Sequence, residues 1–138
     1  MREVRDETVD AVHADFIDGT LTRRILGCAI EVHRVLGPGL LENAYRECLL
    51  RELKLAGLAV RREVHIPVSY KGVELDCGFR ADIVVEDSVV LELKAVDRLL
   101  PIHDAQLLTY LKLAGRRVGL LLNFNSTSLR NGIRRLVR

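Results

Sequence analysis

The chain has 138 residues, of which 49% are hydrophobic and 29% charged, with a formal net charge of +2. That length fits one domain able to bury about two-thirds of its unfolded surface, and the composition excludes wholesale disorder. No apolar run approaches the ~20 residues needed to span a bilayer, and the N-terminus is acidic rather than signal-like, so a cytoplasmic protein with no membrane partner is expected.

In chain order, residues 1–19 lack clean periodicity and end at Asp18-Gly19, which predicts a flexible or marginally helical lead-in. A single domain is expected over 20–138. From Thr20 the apolar positions Leu21, Ile25, Cys28, Ala29, Val32 and Leu36 recur at helical spacing, giving a helix to about residue 35 that stops at Gly37-Pro38-Gly39. A second helix is predicted from about Leu41 to Ala56, with Tyr45, Cys48, Leu49, Leu53 and Ala56 on one stripe and Gly57 as its cap. The period then changes. Val60 to Tyr70 reads as extended, with Pro67 marking an edge or bulge, and Val73 to Cys77 returns across the Lys71-Gly72 turn. Phe79 to Val85 and Val89 to Lys94 form a further hairpin across Glu86-Asp87-Ser88. Helix returns after Pro101 and ends at Gly115. The continuously apolar run Val118 to Asn123 suits a buried strand covered on both faces. Ser126 or Thr127 is expected to cap a final short helix reaching Leu136. The order ααβββαβα predicts an α/β fold, a mixed sheet flanked by helices.

Charge is unevenly distributed. Residues 1–18 carry six acids against Arg2 and Arg5, whereas no acid follows Asp104. Arg116, Arg117, Arg134 and Arg135 in that basic tail are candidate phosphate contacts; the alternative is a solvated helix end whose arginines complement the helix dipole. Cys28, Cys48 and Cys77 are odd in number and show no CxxC, which suits buried reduced thiols and not a zinc site.

The chemistry concentrates in the second hairpin. Strand side chains alternate, so Glu92 and Lys94 project to one face while Leu91 and Leu93 project to the other. A three-residue loop at 86–88 pairs Val85 with Val89 and, counting outward, Asp82 with Glu92. A two-residue loop would send the two acids to opposite faces. An odd-length loop or a bulge is therefore expected. Two carboxylates opposed in this way repel, and a divalent cation with oxygen ligands, Mg²⁺ or Mn²⁺, resolves the conflict. Lys94 on the same face can hold an attacking water or stabilise charge on phosphorus, a set that fits phosphodiester hydrolysis. The alternative is a salt-bridge network on an exposed sheet face. No Ser-His-Asp or Cys-His arrangement supports acyl transfer.

These residues carry a resemblance. Asp82 followed by Glu92-Leu93-Lys94 resembles the PD-(D/E)xK nuclease superfamily, with Ala81 in place of the proline. Gly39-Leu-Leu-Glu42-Asn-Ala-Tyr45 is similar to the signature of its GxxExxY family, and Gln106-Leu-Leu-Thr-Tyr110 to the QxxxY motif of RecB-like members. The resemblance covers roughly residues 20–138 and implies a restriction-endonuclease-like core. It further implies that Asp82, Glu92 and the Leu93 main-chain carbonyl hold the metal, that Lys94 is catalytic, and that Glu42 and Gln106 assist. Tyr45 and Tyr110 would be supportive, although for both the residues themselves suit core packing with a satisfied hydroxyl. The implied function is a metal-dependent nuclease acting on DNA or, less in keeping, RNA, with specificity from a homo-oligomer or a protein partner. The alternative is a nucleic-acid-binding or assembly module that keeps the fold with little activity. His33 fits a structural role, His103 a phosphate contact or a helix cap, and His13 and His65 follow no pattern.

Overall fold

A computed structural model of the chain describes residues 2–5 and 17–138. Strand β1 (Arg2–Arg5) comes first, and a π-helical turn at Ile17–Leu21 leads into helix α1 (Thr22–Leu36). The apolar stripe read from the sequence is the buried face of α1, through Ile25, Cys28, Ala29 and Val32. Gly37 ends it at φ 67° and ψ −177°, a backbone region that only glycine enters cheaply. Helix α2 (Glu42–Leu55) buries Tyr45, Leu49, Leu50 and Leu53, and Gly57 follows its end at φ 79°, as the cap requires.

Strand β2 (Val60–His65) leaves the main sheet at Pro67 and gives way to a separate hairpin, β3 (Val68–Tyr70) and β4 (Val73–Leu75). Strands β5 (Arg80–Val85) and β6 (Val89–Lys94) follow, then α3 (Pro101–Ala114), β7 (Val118–Asn123), a 3₁₀ turn at Leu129–Gly132 and β8 (Ile133–Val137). The six-stranded sheet has the order β1-β8-β7-β6-β5-β2. The pairs β1/β8 and β6/β7 are parallel, and the others antiparallel. Helix α3 is the crossover that a parallel β6/β7 pair needs.

Alternation along the strands builds two cores. Ile83, Val85, Val89, Leu91, Leu93, Leu120 and Leu122 face α1 and α2. Val84, Val90, Leu121 and Leu136 face Leu107 and Leu111 of α3. All six residues of β7 are buried, the two-sided cover its apolar run predicts. Gly119 lets α3 approach closely, because a Cβ there would lie 2.9 Å from the Leu107 side chain.

The predicted mixed sheet flanked by helices is present, with three changes to the element order. Five strands, β2 to β6, lie between α2 and α3 where that order has three, because the 60–70 segment is broken at Pro67 into β2 and β3 and β4 follows as a further short strand. The final helix is a 3₁₀ turn followed by strand β8, which pairs with both β7 and β1. Long-range pairing overrides the local helix signal, and Ile133 and Val137 suit a strand. Within the lead-in, Arg2–Arg5 is a strand held by backbone pairing, which needs no apolar pattern, while residues 6–16 lie outside the described residues. Cys28 is buried, but Cys48 is only partly so and Cys77 is exposed. No described helix is long and apolar enough to cross a membrane.

Candidate functional site

The β5–β6 turn fixes the site. Glu86 and Asp87 adopt φ 52° and 50°, and the Ser88 N–H donates to the Val85 carbonyl at 3.0 Å. Left-handed backbone costs non-glycine residues about 1 kcal/mol or more each. Compensation comes from Ala59, whose N–H donates to the Glu86 carboxylate, and from Arg61 and Arg116, which pair with Asp87. Three residues therefore lie between Val85 and Val89, and the register runs Val85↔Val89, Val84↔Val90, Ile83↔Leu91. The odd-length loop holds.

One step further the ladder opens. At the level where Asp82 meets Glu92, side chains replace the backbone pairing. The Asp82 N–H donates to Glu92 Oε1 at 3.3 Å, and the Leu93 N–H donates to Asp82 Oδ2 at 2.8 Å. Alternation slips here too, since Ala81 packs with Val84 in the α3 core while Ile83 faces α1 and α2. On the other flank of β5 the pairing passes from Arg62↔Ile83 to Val64↔Ala81, skipping Glu63, whose φ is 49°. The carboxyl groups of Asp82 and Glu92 are thereby brought within electrostatic reach of each other, and the Asp82 charge makes Glu92 harder to ionise while burial holds both acids up.

Burial makes the Glu92 proton hard to lose. Glu92 is only 8% exposed. Desolvation first, then the Asp82 charge and the more distant Glu42 carboxylate, push its pKa up to about 8 against the opposing Asp82 N–H and Lys94. Asp82 is also raised by burial, opposed by the Leu93 N–H, Arg46, Lys94 and the Glu92 side chain. Lys94, half-buried at the end of β6, acts on both acids. Helix α2 brings exposed Glu42 within electrostatic reach from its first turn. Tyr110 on α3 has its hydroxyl raised by burial and then by Glu92 and Asp82. Gln106, one turn earlier, is exposed, and its side-chain amide hydrogen-bonds no described residue.

The other expected residues divide. Tyr45 is fully buried and structural: its hydroxyl donates to the Gly37 carbonyl at 2.6 Å and accepts the Leu40 N–H at 3.0 Å, while its ring stacks on Phe124 at 4.7 Å. His33 contacts the Ser126 carbonyl at 2.7 Å. His103 caps α3, accepting the Leu100 N–H at 3.0 Å. His65 accepts from Arg80, and His13 lies outside the described residues. The arginines do not converge. Arg116 and Arg117 precede β7 and lie beside the Val89↔Val118 end of the sheet, whereas Lys94 pairs with Asn123 at the other. Five residues of strand separate those ends by about 16 Å. Arg134 is committed to Asp104 at 2.7 Å and to the Leu99 carbonyl at 3.1 Å, and Arg135 alternates to the opposite face.

Two features escaped sequence reasoning. Arg46 lies 3.9 Å from Asp82 and 3.5 Å from Glu63, and its buried Nε has no hydrogen-bond partner among the described residues. The available signal was its i, i+4 spacing from Glu42, which puts both on one helical face. The second is a polar cleft of about 540 Å³ beyond the ends of β6 and β7, lined by Asp97, Arg98, Asn123, Asn125, Ser126 and Arg134 among others. Asn123 shapes it by accepting the Val96 N–H and donating to the Val96 carbonyl.

A family model described as the PD-(D/E)XK nuclease superfamily matches residues 19–136. The chain belongs to that superfamily. No curated protein and no solved structure matches it. PD-(D/E)XK membership brings a nuclease-like function, and the superfamily typically uses divalent metals. Among the described residues, no group of three or more His, Cys, Asp and Glu side chains is placed to hold an ion. Two carboxylates nevertheless suit Mg²⁺, which retains several waters and needs only one or two protein carboxylates. The donor chemistry fits, since a cation would relieve the mutual repulsion of two oxygen ligands that burial holds above their usual values.

Proposed function

We propose that this chain is a metal-dependent nuclease of the GxxExxY type that hydrolyses phosphodiester bonds in DNA. The juxtaposition of Asp82 and Glu92, whose carboxyl groups each accept a main-chain N–H of the facing strand, with Lys94 two residues further along β6, carries the reading. An ion-pair network on a sheet surface would keep each acid beside a base and in water. Here Asp82 has Arg46 3.9 Å away, but Glu92 is buried beside a second acid with no ion-pair partner among the described residues, an arrangement that a bound cation would relieve.

Asp82, Glu92 and the Leu93 carbonyl would hold Mg²⁺ or Mn²⁺. When bound, such an ion lowers the pKa of water and polarises a phosphoryl oxygen. Lys94 orients the attacking water and meets the negative charge that develops on the phosphoryl oxygens. Glu42, at the rim, takes the proton that the water releases, and Gln106 orients the substrate strand. Arg134 and the cleft beyond Lys94 line the path for the DNA backbone.

The test is cleavage of single-stranded, duplex and branched DNA, with RNA in parallel, in Mg²⁺ and in Mn²⁺. Cleavage should require the metal and disappear in Asp82→Ala and Lys94→Ala. Undiminished activity in both variants would place the chemistry elsewhere, and retained binding without cleavage of any substrate would favour a binding module.

A further inference from the structure

Beside the acid pair lies a groove of about 250 Å³ lined by Phe79, Ile102, Ala105, Gln106, Thr109 and Tyr110. Phe79 and Ile102 remain 38% and 56% exposed, although larger apolar side chains usually find cover. The Phe79 and Tyr110 rings are 5.6 Å apart and tilted by 43°, so they do not cover each other's faces. None of the six lining side chains carries a charge near neutral pH. A phosphate would find no partner there. A flat, neutral ring system would find aromatic faces, aliphatic walls and one amide.

We propose that this groove holds one unstacked nucleobase of the strand being cut, next to the phosphate at Asp82 and Glu92. The assignment rests on the nuclease reading above and names its substrate class: single-stranded DNA or an unpaired end. Three observations select a base as the occupant. Tyr110 belongs to both places, since it lines the groove while its hydroxyl lies in the field of Glu92 and Asp82. The groove is smaller than the ~300–1,000 Å³ usual for drug-sized ligands, which suits a single ring system. Gln106 supplies the amide donor and acceptor that can meet a base edge, and that side-chain amide is hydrogen-bonded to no described residue. Stacking is tolerant of sequence because every base has a π-face, so the groove would select unpaired strands without selecting sequence. A base within a duplex must unpair before it can enter.

The experiment compares two oligonucleotides of equal length, oligo-dT and its fully abasic analogue, by fluorescence anisotropy in Mg²⁺. Lys94→Ala serves as the background so that nothing is cut. Both present the same phosphates, and only one has bases. Oligo-dT should bind on the order of tenfold more tightly, and Phe79→Ala should erase most of that difference while leaving abasic binding unchanged. Phe79→Leu, which keeps the apolar volume and removes the ring, should do the same, and it covers any folding defect of the alanine variant. Equal binding of the two oligomers, while the parent protein still cleaves DNA, overturns the base groove and leaves the nuclease reading standing. Loss of both affinities together in the Phe79 variants also overturns it. So does a change in sedimentation that marks the groove as a contact between copies of the chain. No binding of either oligomer, with no cleavage by the parent protein, overturns both readings.

Discussion

Glu92→Gln should make the metal-free protein more stable in mild alkali. Between the ordinary pKa of 4.5 and the folded value of about 8, the native chain keeps a proton on Glu92 that the unfolded chain has released. The native state then binds more protons than the unfolded state, so stability falls as pH rises, by up to about 1.4 kcal/mol per pH unit. Across the whole interval the loss reaches about 5 kcal/mol, complete once the pH passes the folded value. Asp82 is raised as well and interacts with Glu92, so the step belongs to the pair. Against a total stability of about 5–15 kcal/mol this is a large fraction. Glutamine keeps the shape without titrating. Urea midpoints in EDTA from about pH 5 to about pH 9 should therefore fall for the parent chain and stay nearly flat for Glu92→Gln, with the variant ahead at the alkaline end. Saturating Mg²⁺ should restore the parent by about 2.7 kcal/mol at one hundred times its Kd, and the variant by less. Parallel pH profiles for the two proteins in EDTA would refute the account of a Glu92 carboxyl kept protonated by burial.

Three further outcomes follow from the packing around the site. Tyr45→Phe keeps the stack on Phe124 but leaves the Gly37 carbonyl and Leu40 N–H without their partner; denaturant titration should show a loss of about 1–3 kcal/mol. Asp104→Ala leaves Arg134, 14% exposed, without its carboxylate; a loss of about 3–5 kcal/mol is expected, largely recovered when Arg134→Met is added, and a cost unchanged in the double variant would contradict the pairing. Gly132→Ala sets a Cβ against the Asn123 carbonyl and 2.6 Å from Ser126 Oγ. Thermal melting should reveal a loss of about 1–3 kcal/mol or more, because backbone must move.

Much of the fold was legible because its signals are local. The stripe from Ile25 to Val32, the glycines at 37, 57 and 115, and the turn residues 86–88 each act within a few positions of themselves. The turn alone set the Asp82–Glu92 register, and the order of strands and helices followed from changes of period. Strand β8 was not legible. Five residues are too few to separate a strand from a helix, and its pairing with β7 and β1 comes from distant sequence. The opened ladder at Asp82 was hidden for a similar reason, since it depends on both flanking strands, including the left-handed Glu63. Arg46 reads locally as a solvated helix cation, and only the approach of α2 to β5 places it beside Asp82. The basic tail misled in the opposite way. Adjacency in sequence suggests a patch, but Arg116 and Arg117 lie before β7 at one end of the sheet and the chain returns Arg134 towards the other.

The Arg46 contact has a consequence for the order of events in the cell. In many small metalloproteins the ion is part of the folding equilibrium, and its removal unfolds the chain. Here a tethered guanidinium and one retained proton already offset the charge of the Asp82–Glu92 pair. The fold therefore does not depend on a cation at this pair. On the nuclease reading proposed above, arming would be a separate, later and reversible event, governed by the local supply of divalent cation. A chelator should disarm this protein and leave its circular dichroism spectrum intact.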